Sequence, residues 1–249
     1  MVEALLTVIG VAVVAGALYA LVQGPPVLRG GLAAVGLLLL VSGAWYGLVR
    51  APPDREMGDV QRIMYVHVPA QWMALMAVTL NFFCSVLYLF RPSWPTDALA
   101  EASAEVGLFF GALGLVLGSI WGKPTWGVYW SWDPRLTSEA ILLVAYAGYL
   151  ALRRFIDDAE RRAVWSAVVG IIIAVDIPII WFSVRWWRSL HQMQSSPKTV
   201  DPDMALALRW NAFAFLAVWL VFLSSRYLIA RARTAREVAP PPLVAEVAT

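Results

Sequence analysis

Gly30-Gly31-Leu32-Ala33-Ala34-Val35-Gly36-Leu37-Leu38-Leu39-Leu40-Val41-Ser42-Gly43-Ala44-Trp45-Tyr46-Gly47-Leu48-Val49 runs for 20 residues between Arg29 and Arg50 without a charged side chain. A bilayer core needs about 20 apolar residues of helix. Backbone polar groups in hydrocarbon must be satisfied within the segment, so such a run spans as a helix. Working outward, six further apolar runs follow the same rule, at about 4–22, 65–90, 105–120, 137–152, 164–183 and 210–228, with ends placed to about 2–4 residues. Gly24-Pro25-Pro26 breaks the first run from the second. The expected fold class is all-α: a polytopic membrane helix bundle of about seven transmembrane helices, with an outer-face Trp-rich loop.

Composition agrees. Hydrophobic residues make up 60 % of the 249 and charged residues 14 %, too few charges to coat a soluble domain of this size. The net charge of +2 forms no basic stripe of the kind that holds nucleic acid. The single cysteine, Cys84, excludes a disulfide within the chain. There is no C-x-x-C-H motif for covalent haem and no G-x-x-x-x-G-K-[ST] motif for ATP. Met1-Val2-Glu3 lacks the basic start of a signal peptide, so the first run reads as a real helix. The fourth run carries Gly107, Gly111, Gly114, Gly118 and Gly122, a smooth stripe suited to close helix packing. Pro240-Pro241-Pro242 and the last ten residues read as a disordered tail. Lys and Arg divide almost evenly between the two sets of loops. Their density at Arg153-Arg154, Arg161-Arg162 and the Arg-rich C-terminal segment places that side in the cytoplasm, with the N-terminus outside.

Only two histidines occur. His67 stands just before the third span and His191 between the sixth and seventh. The Trp-rich stretch from Trp121 to Trp132 lies between the fourth and fifth. Two crossings separate each histidine from that stretch, so all three share one face of the membrane. Imidazole is a ligand for haem iron. A flat porphyrin needs aromatic surface, which Trp121, Trp126, Tyr129, Trp130 and Trp132 offer. Arg62, Lys123, Arg135, Arg185 and Arg188, on the same face, suit carboxylates such as propionates. Each feature alone has a plainer reading, since His and Trp at a membrane surface are ordinary interfacial residues and 185–194 could be an interfacial helix. Their coincidence on one face points to haem or another metal-centred ligand. Asp133-Pro134 reads as an N-cap and N1 pair opening span five, with Glu139 near the same helix start. Asp176, before Pro178, reads either as a proton or cofactor contact or as a neutral acid bonding the backbone that Pro178 frees.

The stretch Trp121-Gly122-Lys123-Pro124-Thr125-Trp126-Gly127-Val128-Tyr129-Trp130-Ser131-Trp132-Asp133-Pro134-Arg135 resembles the tryptophan-rich signature of the haem-handling proteins CcmC, CcmF and CcsA of cytochrome c biogenesis. Arg62-Ile63-Met64-Tyr65-Val66-His67-Val68-Pro69 and Trp186-Trp187-Arg188-Ser189-Leu190-His191-Gln192 are similar to the two His-bearing motifs of the CcmC family, and the length suits that family rather than the longer CcmF. The resemblance covers about residues 30–230. It implies haem bound non-covalently at the periplasmic face of the bacterial inner membrane, with His67 and His191 as axial ligands. It further implies that Trp121, Trp126, Tyr129, Trp130, Trp132 and Asp133 form the platform, and that Arg62 and Arg135 serve propionates or a partner. Delivery to the haem chaperone CcmE and association with CcmA, CcmB and CcmD follow, with no enzymatic activity and no ATP site of the chain's own. The implied division is an extra N-terminal helix and short loop (1–29), a six-helix haem-handling domain (30–230) and a cytoplasmic tail (231–249). Two departures stand out: Tyr129 where a second adjacent Trp is common, and Asp176 where Asn is common. The competing functions are a haem lyase of the CcsA or CcmF kind, a bis-His b-type redox carrier and a channel-forming permease. Two histidines are few for a lyase, a redox carrier usually has mid-span histidines, and the Gly-rich span suits packing better than a pore.

Overall fold

The computed structural model describes residues 2–191 and 200–239, with side chains from residue 7 of the first helix onward. Eight helices account for most of them: α1 (Val2–Gln23), α2 (Pro26–Trp45), α3 (Met64–Phe90), α4 (Trp94–Trp126), α5 (Pro134–Phe155), α6 (Ala159–Ala174), α7 (Asp176–Trp186) and α8 (Pro202–Glu237). A π turn, Tyr46–Arg50, prolongs α2, and a 3-10 turn, Asp59–Ile63, leads into α3. Among the described residues there is no strand, only one isolated bridge between Asp54 and Gly58. Six helical segments are long and apolar enough to cross a membrane, with α6 and α7 counting together as one, and α1 adds a shorter apolar stretch. The molecule is a multi-pass membrane helix bundle of about seven spans, as the apolar runs indicate.

The centre of the bundle is α3 packed along α4, with α8 against both and α2 laid on α8. α1 rests mainly on α8 at the periphery. The core joins Ala70, Met73, Ala74 and Ala77 of α3 to Val106 and Phe110 of α4 and to Phe215, Trp219 and Leu223 of α8. Small residues on α3 let the aromatic rings of the other two helices close over it. In lipid this close packing, rather than expulsion of water, holds helices together.

Several boundaries differ from the apolar runs for identifiable reasons. α4 begins at Trp94, eleven residues before the expected start at 105, with Ser93 as its N-cap. Its first turns carry Asp97, Glu101 and Glu105, which interrupt the apolar run, yet each is paired with an arginine. Arg153 reaches Asp97 with both terminal nitrogens at 2.7 Å and Glu101 at 3.0 Å, and Arg233 also bonds Glu101. Arg226 grips Glu105 at 2.5 and 2.7 Å, and Arg162 bonds Glu237. Charge-assisted, two-pronged contacts of this kind let acids and arginines pack where apolar residues would otherwise stand. α8 runs to Glu237, so residues 231–237 are helix rather than the start of a tail; the expected disorder of 240–249 falls outside the described residues.

The sixth span is broken. α6 ends at Ala174 and α7 starts at Asp176, two residues before Pro178. No hydrogen bond from Asp176 to freed backbone is present among the described residues; its Oδ2 is buried without a partner. The neighbours change across the break: α6 packs on both α3 and α5, whereas α7 keeps α5 and makes little contact with α3.

Candidate functional site

The site is built at the end of the bundle where α3 begins and α4 ends. His67 lies on the first turns of α3 and is 8 % exposed. Its Nδ1 sits 2.9 Å from the carbonyl oxygen of Gly114 on α4. A carbonyl only accepts, so Nδ1 carries the proton and Nε2 keeps its lone pair. That is the arrangement in which a second group orients a ligating imidazole. Gly118 makes the approach possible, because a Cβ there would stand 2.9 Å from Cε1 of His67.

The last turns of α4 carry Trp121 and Trp126 past the expected end of span four. The expected Trp-rich loop is therefore helix up to Trp126, and only 127–133 is loop. Gly127, at φ 80°, ends the helix in the left-handed conformation that glycine tolerates. Trp121 meets His67 edge-on, ring centres 5.7 Å apart and planes at 74°. Trp126 lies 6.2 Å from the ring of His191. Both histidines, with Trp121 and Trp126, line one cavity of about 720 Å³, counting its open mouth.

Asp133 joins the two halves of this site. It caps α5 by accepting from Arg135 N–H at 2.9 Å, with Pro134 at the first helical position, as expected. Its carboxylate also accepts from Leu190 N–H at 2.7 Å and from the Ser189 hydroxyl at 3.1 Å. Ser189 Oγ in turn accepts from His191 N–H at 3.0 Å. The segment bearing the second histidine is thus fastened to the start of α5.

Arg135 lines the cavity, and its Nη1 is buried without a hydrogen-bond partner among the described residues. One turn on, Glu139 accepts from Gln71, itself one turn beyond His67. The buried Nε1 of Trp121 is also unpartnered. A buried cation and a buried donor without acceptors suit a ligand that brings carboxylates.

The other residues singled out in the sequence lie elsewhere. Tyr129 and Trp132 are exposed, and Trp130 meets Trp132 edge-on at 5.7 Å; none of the three lines the cavity. They form an aromatic rim beyond it, with Lys123 above the Tyr129 ring at 5.5 Å. Arg62 is used structurally. It bonds the carbonyls of Gly47 and Ala51 and pairs with Asp59 at 2.8 Å, fastening the turn after α2 to the turn before α3. Sequence reasoning missed Gln71, Gly114 and Met57 as cavity residues and took Glu139 only as part of a helix start. Helical spacing was the available signal for two of them: Gln71 follows His67, and Glu139 follows Arg135, by four residues.

Comparison with known proteins agrees with this arrangement. A statistical model of the family described as "Heme exporter protein C" matches residues 5–239, which include all but the first three residues of α1. The chain is 38 % identical over 171 residues to heme exporter protein C of Bradyrhizobium diazoefficiens, covering 67 % of this chain and 65 % of that protein. It is 38 % identical over 165 residues to heme exporter protein C of Escherichia coli K12, covering 66 % and 67 %. The Haemophilus influenzae protein of the same name is 36 % identical over 200 residues, covering 78 % and 81 %. The matches thus span about two thirds of the first two relatives' length. With a family match over nearly its whole length, the chain belongs to the heme exporter protein C (CcmC) family.

Proposed function

We propose that this protein binds haem non-covalently at the periplasmic face of the bacterial inner membrane and hands it to the chaperone CcmE during cytochrome c maturation. It works as a delivery component beside CcmA, CcmB and CcmD rather than as an enzyme. The observation that carries the reading is that the chain's only two histidines, 124 positions apart in sequence, line a single cavity with Trp121 and Trp126. Haem offers an iron for two imidazoles, a flat ring for indoles and propionates for Arg135. His67, with Nε2 left as its ligating atom, and His191 are the axial pair. Trp121 and Trp126 flank the ring. Asp133 holds the His191 segment against α5. Tyr129, Trp130 and Trp132, exposed beyond the cavity, form the surface on which the receiving chaperone docks.

The test is the absorption spectrum of the purified protein, with and without CcmE. A bis-His haem spectrum is expected, abolished or strongly altered by His67→Ala and by His191→Ala, and transferred to CcmE on mixing. An unchanged spectrum in both variants would sink the assignment.

A further inference from the structure

The cavity does not end at the two histidines. It continues as a slot of about 1300 Å³, counting its open side, toward the middle of the bundle. The two spaces share His67, Gln71, Trp121, Arg135, Glu139 and His191 in their walls. On α3 the slot follows Gln71, Leu75 and Val78, and on α5 it follows Glu139, Leu143 and Tyr146. From His67 to Val78 is 11 residues, about 16 Å of helix at 1.5 Å per residue. Polar groups stand at the top and apolar side chains below.

The back of the slot is α4, whose glycine stripe lets α3 and α5 come close: a Cβ would stand 3.1 Å from Val78 at Gly107 and 2.7 Å from Leu143 at Gly111. Gly114 and Gly118 line the upper cavity, and Gly107 and Gly111 line the slot. The front is open because the sixth span is broken. α6 packs on both α3 and α5, whereas α7 packs on α5 and makes little contact with α3. The lips of the gap are Trp72 and Leu75 on α3 and Ile177, Ile180 and Trp181 on α7. Trp72 and Trp181 are each 41 % exposed, on the lipid-facing surface of the spans.

From this geometry we infer that haem reaches the two histidines sideways from the bilayer, sliding with its apolar edge along the slot between α3 and α7, with its propionates held at the level of Arg135. The inference rests on the haem-binding reading above and adds the route. Haem is the occupant that fits because the slot is continuous with both imidazoles and changes from polar to apolar along its length. A flat molecule with two acids on one edge has the same change of character. A route through water would need no opening into lipid and no apolar slot beneath the ligands.

The test uses the full chain in liposomes and two sources of haem: haem dissolved in the same bilayer, and haem presented from serum albumin in the aqueous phase. Leu75→Trp and Ile180→Trp each plug the gap from a different helix; Val144→Trp, on the lipid-facing side of α5, is the control. Both plugged variants are expected to load bilayer haem at least tenfold more slowly. Loading from albumin should change less than twofold, and the final spectrum should match the parent. Equal rates from the bilayer in parent and plugged variants would overturn the route, as would equal slowing from both sources. Loss of a co-purified lipid from the plugged variants with no change in loading would overturn it in favour of a lipid site. Failure of the parent to take haem from either source would sink the binding reading and the route together, and is distinct from the other results.

Discussion

Asp133 and Leu190 are joined by a hydrogen bond of 2.7 Å from the Leu190 N–H to the Asp133 carboxylate, across 57 positions of sequence. One side chain, 6 % exposed, thereby does two things. It caps α5 just below the Trp-rich segment, and it anchors the backbone one residue before His191. The bond ties the segment that carries His191 to the start of α5.

Asp133→Ala removes the cap and both bonds to the 189–190 segment. A lost cap costs about 1 kcal/mol and a lost hydrogen bond to a charged group about 1.5–3 kcal/mol. The helical bundle survives such a loss, but His191 is set loose. The expected result is a folded protein by circular dichroism whose haem spectrum loses its bis-His character. Asp133→Asn, which keeps the cap, should fall between. A parent-like spectrum in Asp133→Ala would show that the 189–191 segment is held by something else.

Gly118→Ala separates stability from ligand placement. Alanine is favoured over glycine inside a helix by about 0.8–1.0 kcal/mol. The new methyl group, however, would stand 2.9 Å from Cε1 of His67 and push the imidazole off the Gly114 carbonyl. Thermal stability should hold or rise while haem affinity falls at least tenfold. Unchanged affinity would mean that the ring orientation seen here is not needed for binding.

The seven apolar runs and the shared face of the two histidines were legible because each follows from hydrophobic length and parity alone. The early turns of α4 were not, since Asp97, Glu101 and Glu105 read as polar until Arg153, Arg233 and Arg226 are seen to meet them. The glycine stripe was legible as a close-packing face, and α3 lies against it: a Cβ at Gly107 would stand 3.1 Å from Val78. Spacing alone did not show that the same glycines also line the cavity. The tie from Asp133 to Leu190 has no local signature at all, and Tyr129, Trp130 and Trp132 show why composition overstates a site: an indole near the right place in sequence need not face the ligand.

Arg153 gives a test at the far end of the bundle. It is 5 % exposed and holds Asp97 and Glu101, both 4 % exposed. Arg153→Ala leaves these carboxylates buried with less compensation, which costs about 3–5 kcal/mol. The midpoint of thermal unfolding in detergent should drop sharply. The fraction that remains folded should keep the parent haem spectrum, because the network lies at the opposite end from His67. A haem defect at full stability would instead couple the two ends.

Asp54 lends the cavity mouth a dependence on pH. Its carboxylate accepts the N–H groups of Met57 and Glu56, both at 2.9 Å, and these bonds hold its pKa below the usual carboxylate value. The turn they close, with Gly58 at φ 58° and the Asp54–Gly58 bridge, places Met57 in the cavity wall. A depressed folded pKa means that the ionised form supports the turn above the ordinary carboxylate range. That support is lost as pH falls through the lowered value. The methyl resonance of Met57, labelled with carbon-13, should therefore be constant at neutral pH and shift toward a mobile position on acidification. In Asp54→Asn, which cannot ionise, the resonance should be independent of pH over the same range. An acid-induced shift that persists in Asp54→Asn would assign the titration to another group.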